Sequence, residues 1–265
     1  MFPYILIVVL YKEKIENSDT ITSFVKKCTS FHNKIKLIIW DNSPNSINKD
    51  KSYLDKHNIE YVYYHTPENR PLSNIYNNIF ETYKNCDITF LFDQDSIISE
   101  EYFQKTIEAH LQNDDIALSI PFVKHNETIV SPGKFQFYRG HYIRHLTFGR
   151  IRSKNIIAIT SGMAIKNRIL KETGLNFDEN LSLYGIDTKF CLDYSKYFDN
   201  IYIIQYQLEH SLSQFNKEDK KVKIYRYKSQ MKAMRYITKQ RSILSYLLCS
   251  LATFIHYTTL RIKHL

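Results

Sequence analysis

The chain is poor in the residues that build linkers and frameworks. Of 265 residues only 6 are Gly and 6 are Pro, too few for a flexible tether or a low-complexity segment, and no internal repeat is visible. Cys28, Cys86, Cys191 and Cys249 lie far apart with no CxxC pair, so neither a zinc site nor a disulfide framework is indicated and reduced thiols are the default. No run reaches the roughly 20 apolar residues of a membrane-spanning helix. The opening MFPYILIVVLYKE has no basic leader and no small-residue cleavage site, so it reads as a first strand and not as a signal peptide. GxGxxG does not follow that strand and GxxxxGK[ST] is absent, which argues against a dinucleotide fingerprint and a P-loop. One stretch lacks acid altogether: Lys220 to Leu265 contains no Asp or Glu, and the chain carries a net charge of +9. A basic tail points to an anionic partner: a membrane surface, a nucleic acid or a phosphorylated substrate.

What is present centres on Asp87 to Ser96, DITFLFDQDS. An apolar run rich in β-formers, Ile88 to Phe92, predicts a buried strand. It stops at Asp93 and Asp95, two carboxylates one residue apart, at the strand end where open α/β sheets bind ligands. Their oxygens suit a hard cation such as Mg2+ or Mn2+, which can also hold substrate phosphates. The same acids could simply end a strand or cap a helix starting near Ser99.

The rest of the chain reads in strand–helix units. Strands are expected at Tyr4 to Leu10, Lys36 to Trp40 and Ile59 to Tyr64. The first two run into polar groups, at Tyr11-Lys12 and at Asp41-Asn42-Ser43. Asn17-Ser18-Asp19 offers caps for a helix to about Cys28, and a short helix is expected around Lys51 to Lys56. Pro71 can open another, with Leu72, Ile75, Ile79 and Tyr83 on one face. This alternation implies a parallel sheet covered on both faces. Its polar edge could take a nucleotide: the Tyr11 ring for stacking, Asp41 for a base or ribose donor group, Asp93 and Asp95 for ribose and metal. Glu100 to Gln112 reads as a helix and Ile116 to Val123 as a strand. Asn126 to Arg152 is aromatic and basic without clean periodicity, equally readable as an acceptor-side wall or a hairpin excursion. Ile156 to Ile165 is a strand pattern interrupted at Ser161-Gly162, where Gly permits close backbone approach, and a helix around Asn167 to Thr173 follows. Further on, Ile186, Phe190 and Tyr194 have helical spacing behind Gly185. Asp187 therefore falls in a first helical turn, where the dipole favours an ionised carboxylate; a capping acid and a catalytic one look alike here. Tyr202 to Gln205 reads as the last strand, and His210 after it is either a third metal ligand or an ordinary surface histidine.

Four blocks together resemble the family-2 inverting glycosyltransferases of the GT-A fold, especially rhamnosyltransferase-like members of bacterial polysaccharide clusters. They are IVVLYKE with LIIWDNSP, ENRPLSNIYNNIF, FLFDQDS, and SGMAIKNRILKETGLNFDENLSLYGIDTKFCLDY with LEHSL behind it. The resemblance spans most of residues 4 to 215. It implies an α/β, GT-A type Rossmann-like sandwich with a central, mostly parallel sheet, occupying residues 1–216. It also implies roles. Asp41 would read the nucleotide base, with Tyr11 in the base pocket, and Asn69, Leu72 and Asn77 would line the donor nucleotide. Asp93 and Asp95 match the Asp-x-Asp motif, with Asp95 the more direct metal ligand; His210 would approach metal and pyrophosphate; Asp187 would be the catalytic base. Pro71 and Ile79 stand where the family often has Gly, and the residues around Tyr184 vary among members. The donor expected first is deoxythymidine-diphosphate-rhamnose, with a UDP-hexose or galactofuranose donor as the alternative, and the acceptor a lipid-linked oligosaccharide or glycan.

Residues 217–265 form a separate expectation, a basic helical tail. Leu244, Leu247, Leu248, Leu251, Phe254 and Ile255 fall on one helical face behind a run of Lys and Arg, the pattern of an interfacial membrane helix. A helix packed on the catalytic domain or in a dimer would read the same. The family's lipid-diphosphate acceptors favour the membrane, implying a cytoplasmic enzyme peripheral to the inner face of the plasma membrane. Other classes fit less well. A haloacid-dehalogenase phosphatase puts its Asp-x-Asp at the start of its core, and a nucleotidyltransferase needs a Gly-rich, Arg-bearing loop where YKEKIENSD stands. A nucleic-acid module has no zinc, RRM or helix-turn-helix signature here, so nucleic acid is not an expected partner. A non-catalytic sugar-nucleotide-binding scaffold is the remaining alternative.

Overall fold

A computed structural model describes residues 2–48, 50–125, 128–143, 147–209 and 220–262. The first half alternates as the sequence pattern predicts: β1 (Tyr4–Leu10), α1 (Asp19–Lys27), β2 (Ile35–Asp41), α2 (Ser52–Lys56), β3 (Tyr61–His65), α3 (Leu72–Thr82), β4 (Ile88–Asp93) and α4 (Glu100–Gln112). Ser18 caps α1, its side chain accepting from the Ile21 N–H, which satisfies one of the free donors of the first turn.

The second half is more broken. It comprises β5 (Leu118–His125), β6 (Thr128–Ser131), β7 (Gly133–Gln136), β8 (Arg139–Tyr142), β9 (Gly149–Arg152), β10 (Ile156–Ile157), β11 (Met163–Lys166), α5 (Arg168–Thr173), α6 (Ile186–Tyr194) and β12 (Asn200–Glu209). Two helices, α7 (Lys220–Arg241) and α8 (Ile243–Ile262), end the described chain.

The main sheet runs β3-β2-β1-β4-β11-β5-β12-β9, with β6 alongside β5. β1 pairs in parallel with β2 and β4, and β2 with β3, so the carboxyl ends at Leu10, Asp41, His65 and Asp93 share one edge. β11 enters antiparallel between β4 and β5, and β9 antiparallel beside β12. The sheet is therefore mixed: β5 and β12 also pair in parallel, and the strands that run the other way are β11, β9 and β6.

Alternation along the strands divides the core in two. Ile5, Ile7 and Leu91 pack with Ile75, Tyr76 and Phe80 of α3. Leu6, Val8, Phe90 and Phe92 pack with Phe24 of α1 and with Tyr102 and Phe103 of α4. Phe90 sits edge-on to Tyr102 and Phe103. Each such fully buried side chain is worth about 1.5–3 kcal/mol, which holds β4, and so the turn behind it, in the centre of the molecule.

Three regions depart from the sequence reading. The aperiodic Asn126 to Arg152 stretch contains four short strands; β7 and β8 join β10 in a separate small sheet. The expected strand from Ile156 to Ile165 is really two, in different sheets, separated by a turn at 158–162. Gly162 adopts φ +86, and a Cβ there would lie 2.5 Å from Pro121 Cγ; only glycine accommodates both the angle and the contact. Third, α7 packs on the core, the alternative that the sequence left open beside a membrane-surface helix. Ala233 and Ile237 are buried in the main core, Tyr236 donates to Asp178 Oδ2 at 2.9 Å, and Arg241 donates to Asn155 Oδ1 at 2.7 Å. The proposed boundary at 216/217 lies outside the described residues.

Candidate active site

The DQDS turn is fastened by backbone and hydroxyl groups from three segments of the chain. The Ser18 and Thr20 hydroxyls donate to the carbonyls of Gln94 and Asp93, at 2.8 and 2.5 Å. Ser96 N–H donates to Thr20 Oγ1, and Ser161 Oγ accepts from Asp93 N–H while bonding Ser96 Oγ. Gly162 N–H reaches back to the Leu91 carbonyl at 2.8 Å. Gln94 Oε1 accepts from Tyr11 N–H at 2.8 Å, tying the end of β1 to the same turn. The backbone of Asp93 and Asp95 is thus held from α1, from β1 and from the 161–162 turn. The Tyr11 ring is exposed, with Lys12 Nζ 5.2 Å from its centroid.

Asp41, at the same edge, is fully buried. It accepts from Tyr63 Oη at 2.6 Å, Ser43 N–H at 3.1 Å and Asn48 Nδ2 at 3.3 Å. Burial pushes its carboxyl up, but the bonds from Ser43, Tyr63 and Asn48 outweigh that and leave it below the usual carboxylate range. Burial and the bond to Asp41 together push the Tyr63 phenol up to about 12. Next to it, Asn42 bonds Asn69 Oδ1 and the carbonyl and N–H of Arg70, fixing the loop in which Asn69 has φ 38.

α3 braces the opposite wall. Leu72 N–H donates to the Ser182 carbonyl and Ser73 Oγ to that of Leu181. The Asn77 amide is engaged at both ends, donating to the Phe177 carbonyl and Glu179 Oε1 and accepting from Phe177 N–H. Leu72 and Asn77 therefore anchor the segment that leads to Gly185 and Asp187.

Gly185, φ 78, precedes α6, and a Cβ on it would meet Ile237 Cδ1 at 3.0 Å and Ala233 Cβ at 3.2 Å; α7 closes over this turn. Asp187 Oδ1 accepts the Thr188 N–H at 2.6 Å. Burial raises the Asp187 carboxyl to about 6 against the lowering by Thr188, and the negative charge of Asp93 adds to the rise. Asp187 and Asp93, 94 residues apart in sequence, therefore face one another electrostatically. With Thr188 it also lines a cavity of about 370 Å3 walled by β8 and the 157–159 segment.

One residue of this site was not singled out in the sequence. Tyr76 of α3 is fully buried, and its hydroxyl faces Thr160 but completes no hydrogen bond with a described residue. Burial and the charges of Asp93 and Asp187 raise its phenol. In sequence it is one more aromatic in a helical apolar pattern, with nothing to mark it.

Among the described residues no three His, Cys, Asp or Glu side chains form a metal cluster; His210 lies outside the described residues. The donor chemistry nonetheless fits a divalent cation. Mg2+ is commonly held by only one or two carboxylates, its other positions going to substrate phosphates and water. Asp93 and Asp95 offer two carboxylates on a fixed turn, and the charge Asp93 imposes on Asp187 is one that a cation would offset.

The fold, a central mostly parallel sheet between helices, is that of the GT-A glycosyltransferases. TarS of S. aureus (fragment 1-349) superposes with TM-score 0.59 at 12% identity, over 96% of this chain and 71% of that one. The same fragment in complex with UDP-GlcNAc gives TM-score 0.61 at 12% identity, over 94% and 69%. GalNAc-T7 with UDP, GalNAc and Mn2+ gives 0.63 at 12% identity, over 89% of this chain and 47% of that one. No protein-family model matches the sequence, and no curated protein does.

Proposed function

We propose that the protein is a metal-dependent inverting glycosyltransferase, moving a sugar from a nucleoside-diphosphate donor to a hydroxyl of a growing cell-surface glycan. The observation that carries this reading is the pair formed by Asp93 on its fixed turn and a half-buried Asp187 with a carboxyl near 6. A carboxylate with that value is matched to taking a proton at neutral pH. The GT-A fold and neighbours holding UDP or UDP-GlcNAc support it.

In this mechanism the exposed Tyr11 ring stacks on the donor base, and Asp41 holds the base pocket in shape through Tyr63 and Ser43. Mg2+ or Mn2+ bound by Asp93 and Asp95 would neutralise charge on the leaving diphosphate. Asp187 Oδ1 is bonded to Thr188, so Asp187 receives the acceptor proton at Oδ2. The acceptor oxygen forms a bond to the anomeric carbon while the bond from that carbon to the diphosphate oxygen breaks. Attack from the face opposite the leaving group inverts the centre.

Rhamnose from deoxythymidine diphosphate is the first donor to test, on the DQDS block. A UDP-linked hexose is the second reading, favoured by the uridine nucleotides held by the neighbours. We infer a lipid-linked acceptor presented at the inner face of the plasma membrane. Its support is α8: no described helix is long and apolar enough to cross a membrane, yet Leu244, Leu247, Leu251, Phe254 and Ile255 are all more than half exposed along one face. Leu248, expected on that stripe, is partly buried.

The test is turnover of a nucleotide-sugar panel with Mg2+ or Mn2+, alongside nucleotide binding by calorimetry. Release of one nucleoside diphosphate, abolished by chelation, identifies the donor. Metal-dependent binding without turnover keeps the transferase and points to the acceptor. Absence of both turnover and nucleotide binding overturns the transferase reading and the sugar-nucleotide-binding scaffold alike.

A further inference from the structure

A cavity of about 490 Å3 opens at the other edge of the sheet, where β1 and β4 begin and β11 ends. Its volume falls in the range of small-molecule sites. Tyr4 and Ile88 line it, and β4 runs from there to Asp93, roughly 17 Å away at the rise of an extended strand. None of the candidate catalytic, donor or metal residues borders this space.

The lining is divided in character. Ile107 and Leu111 of α4 join Tyr4 and Ile88 in an apolar wall, although Leu111 is 77% exposed. Cations come from other segments: Lys84 behind α3, Lys166 at the end of β11, and Arg168 and Lys171 on α5. Lys84 is paired with Glu81 at 2.6 Å. Lys166 and Arg168 converge on one carboxylate, Asp114, at 3.2 and 3.3 Å, and both also donate to its main-chain carbonyl. The Asp114 side chain is 89% exposed and that of Lys166 only 11%, so two cations share a single charge that water screens. Lys171 donates to Asn85 Oδ1, a neutral partner, at 3.2 Å. The field of these groups reaches inward. Burial, then the charge of Lys166, with a smaller push from Arg168, lowers the His110 imidazole to about 4. Asp87, the other acid of the lining, bears on Tyr4, whose phenol is raised by burial and then by the Asp87 charge.

We propose that this cavity binds a small amphiphilic anion, with a phosphate or carboxylate head on Arg168 and Lys171 and an apolar chain along Ile107 and Leu111. Arg168 and Lys171 are three residues apart on α5 and so are neighbours on its surface, and a guanidinium fork matches either head in two bonds at once. The head supplies the countercharge that Asp114 divides between two cations. The chain covers Leu111, which a bare inorganic anion would leave in water. Binding here is separate from the reaction proposed at the Asp93 edge and does not depend on it.

The experiment is calorimetry on the full chain with octyl phosphate, octanoate, octanol and inorganic phosphate, each kept below micelle-forming concentration. At least one octyl anion should bind about tenfold tighter than octanol, the scale of one charged hydrogen-bonded contact, and tighter than inorganic phosphate; the responding anion names the head. Arg168→Ala combined with Lys171→Ala should remove the preference for an anion, and Leu111→Ser should weaken the octyl anion several-fold. All three side chains are exposed, so these variants change binding and not folding. Backbone amide signals of residues 84–88 and 166–171 should shift when the anion binds, and those of residues 93–96 should stay. Equal binding of octanol and both octyl anions overturns the proposal. So does a preference that survives the double variant, or amide shifts confined to α7 and α8, either of which would put the anion on the basic C-terminal helices.

Discussion

The two regions that meet near Asp187 are built in different ways. On the side proposed to take the donor, four parallel strands end at one edge, and each strand end carries its own polar group. The turn at Asp93 to Ser96 is held by Ser18 and Thr20 from the preceding layer, and the loop after β2 is held by Asn42. On the side proposed to take the acceptor, strands of four residues or fewer make a small sheet, and α7, some 80 residues further along the chain than β8, packs over Gly185. The donor side is a product of local order repeated in register. The acceptor side is assembled from distant pieces, and it is the side where related folds can diverge without disturbing the sheet.

The largest effect that tests this division is expected at Asp187, where the sides meet. Asp187→Asn should lower transfer by about 10²–10⁴-fold, the usual weight of a general base, with nucleotide binding kept. In the native protein kcat/KM should rise with pH through about 6. The same group makes a stability prediction. A carboxyl raised in the folded state binds its proton more tightly there than in the unfolded chain, so its contribution to stability falls as pH rises from about 3.8 through about 6. Asp187→Asn should accordingly melt a few degrees higher than the native protein at pH 7, and the gain should vanish below pH 4; an equal melting temperature at pH 7 would contradict the buried, charged site described above.

Asp95→Ala should cost metal-dependent nucleotide affinity more than the about 10–100-fold typical of losing an outer-shell partner; unchanged affinity would remove Asp95 from the metal site. A third test is structural. Gly162→Ala puts a Cβ against Pro121 at a left-handed φ and should destabilise by about 1–3 kcal/mol in urea unfolding, loosening the Asp93 turn through the Leu91 bond. The smallest effect on the fold is expected at α8, where Leu251→Glu should change stability by less than about 0.5 kcal/mol yet reduce sedimentation with anionic vesicles. Unchanged sedimentation would remove the membrane role of that stripe.

Much of the donor side was legible from residues alone because its signals are local. Apolar runs ending in Tyr11, Asp41 and Asp93 gave strands and the edge they share, and Ser18 was recognisable as a cap. The acceptor side was not legible for equally physical reasons. Strands as short as Ile156–Ile157 carry too few residues to show period two, and the Ile156 to Ile165 run looked continuous because its apolar residues serve two sheets. Leu72 and Asn77 matched a donor-lining block, but their bonds to the 177–182 segment depend on a loop about 100 residues away. Tyr76 could not be found at all, since a core aromatic and a site aromatic have the same helical spacing.

By itself the sequence determined the alternating first half, the carboxylate pair behind β4 and the acid-free C-terminal stretch, because hydrophobic period, β-propensity and charge are properties of neighbouring residues. Only the tertiary structure decided that β11 runs antiparallel into the sheet, that Asp187 comes within the field of Asp93, and that α7 closes over Gly185. Each of these is a meeting of segments far apart in the chain, set by which faces bury together and which backbone angles the turns between them allow.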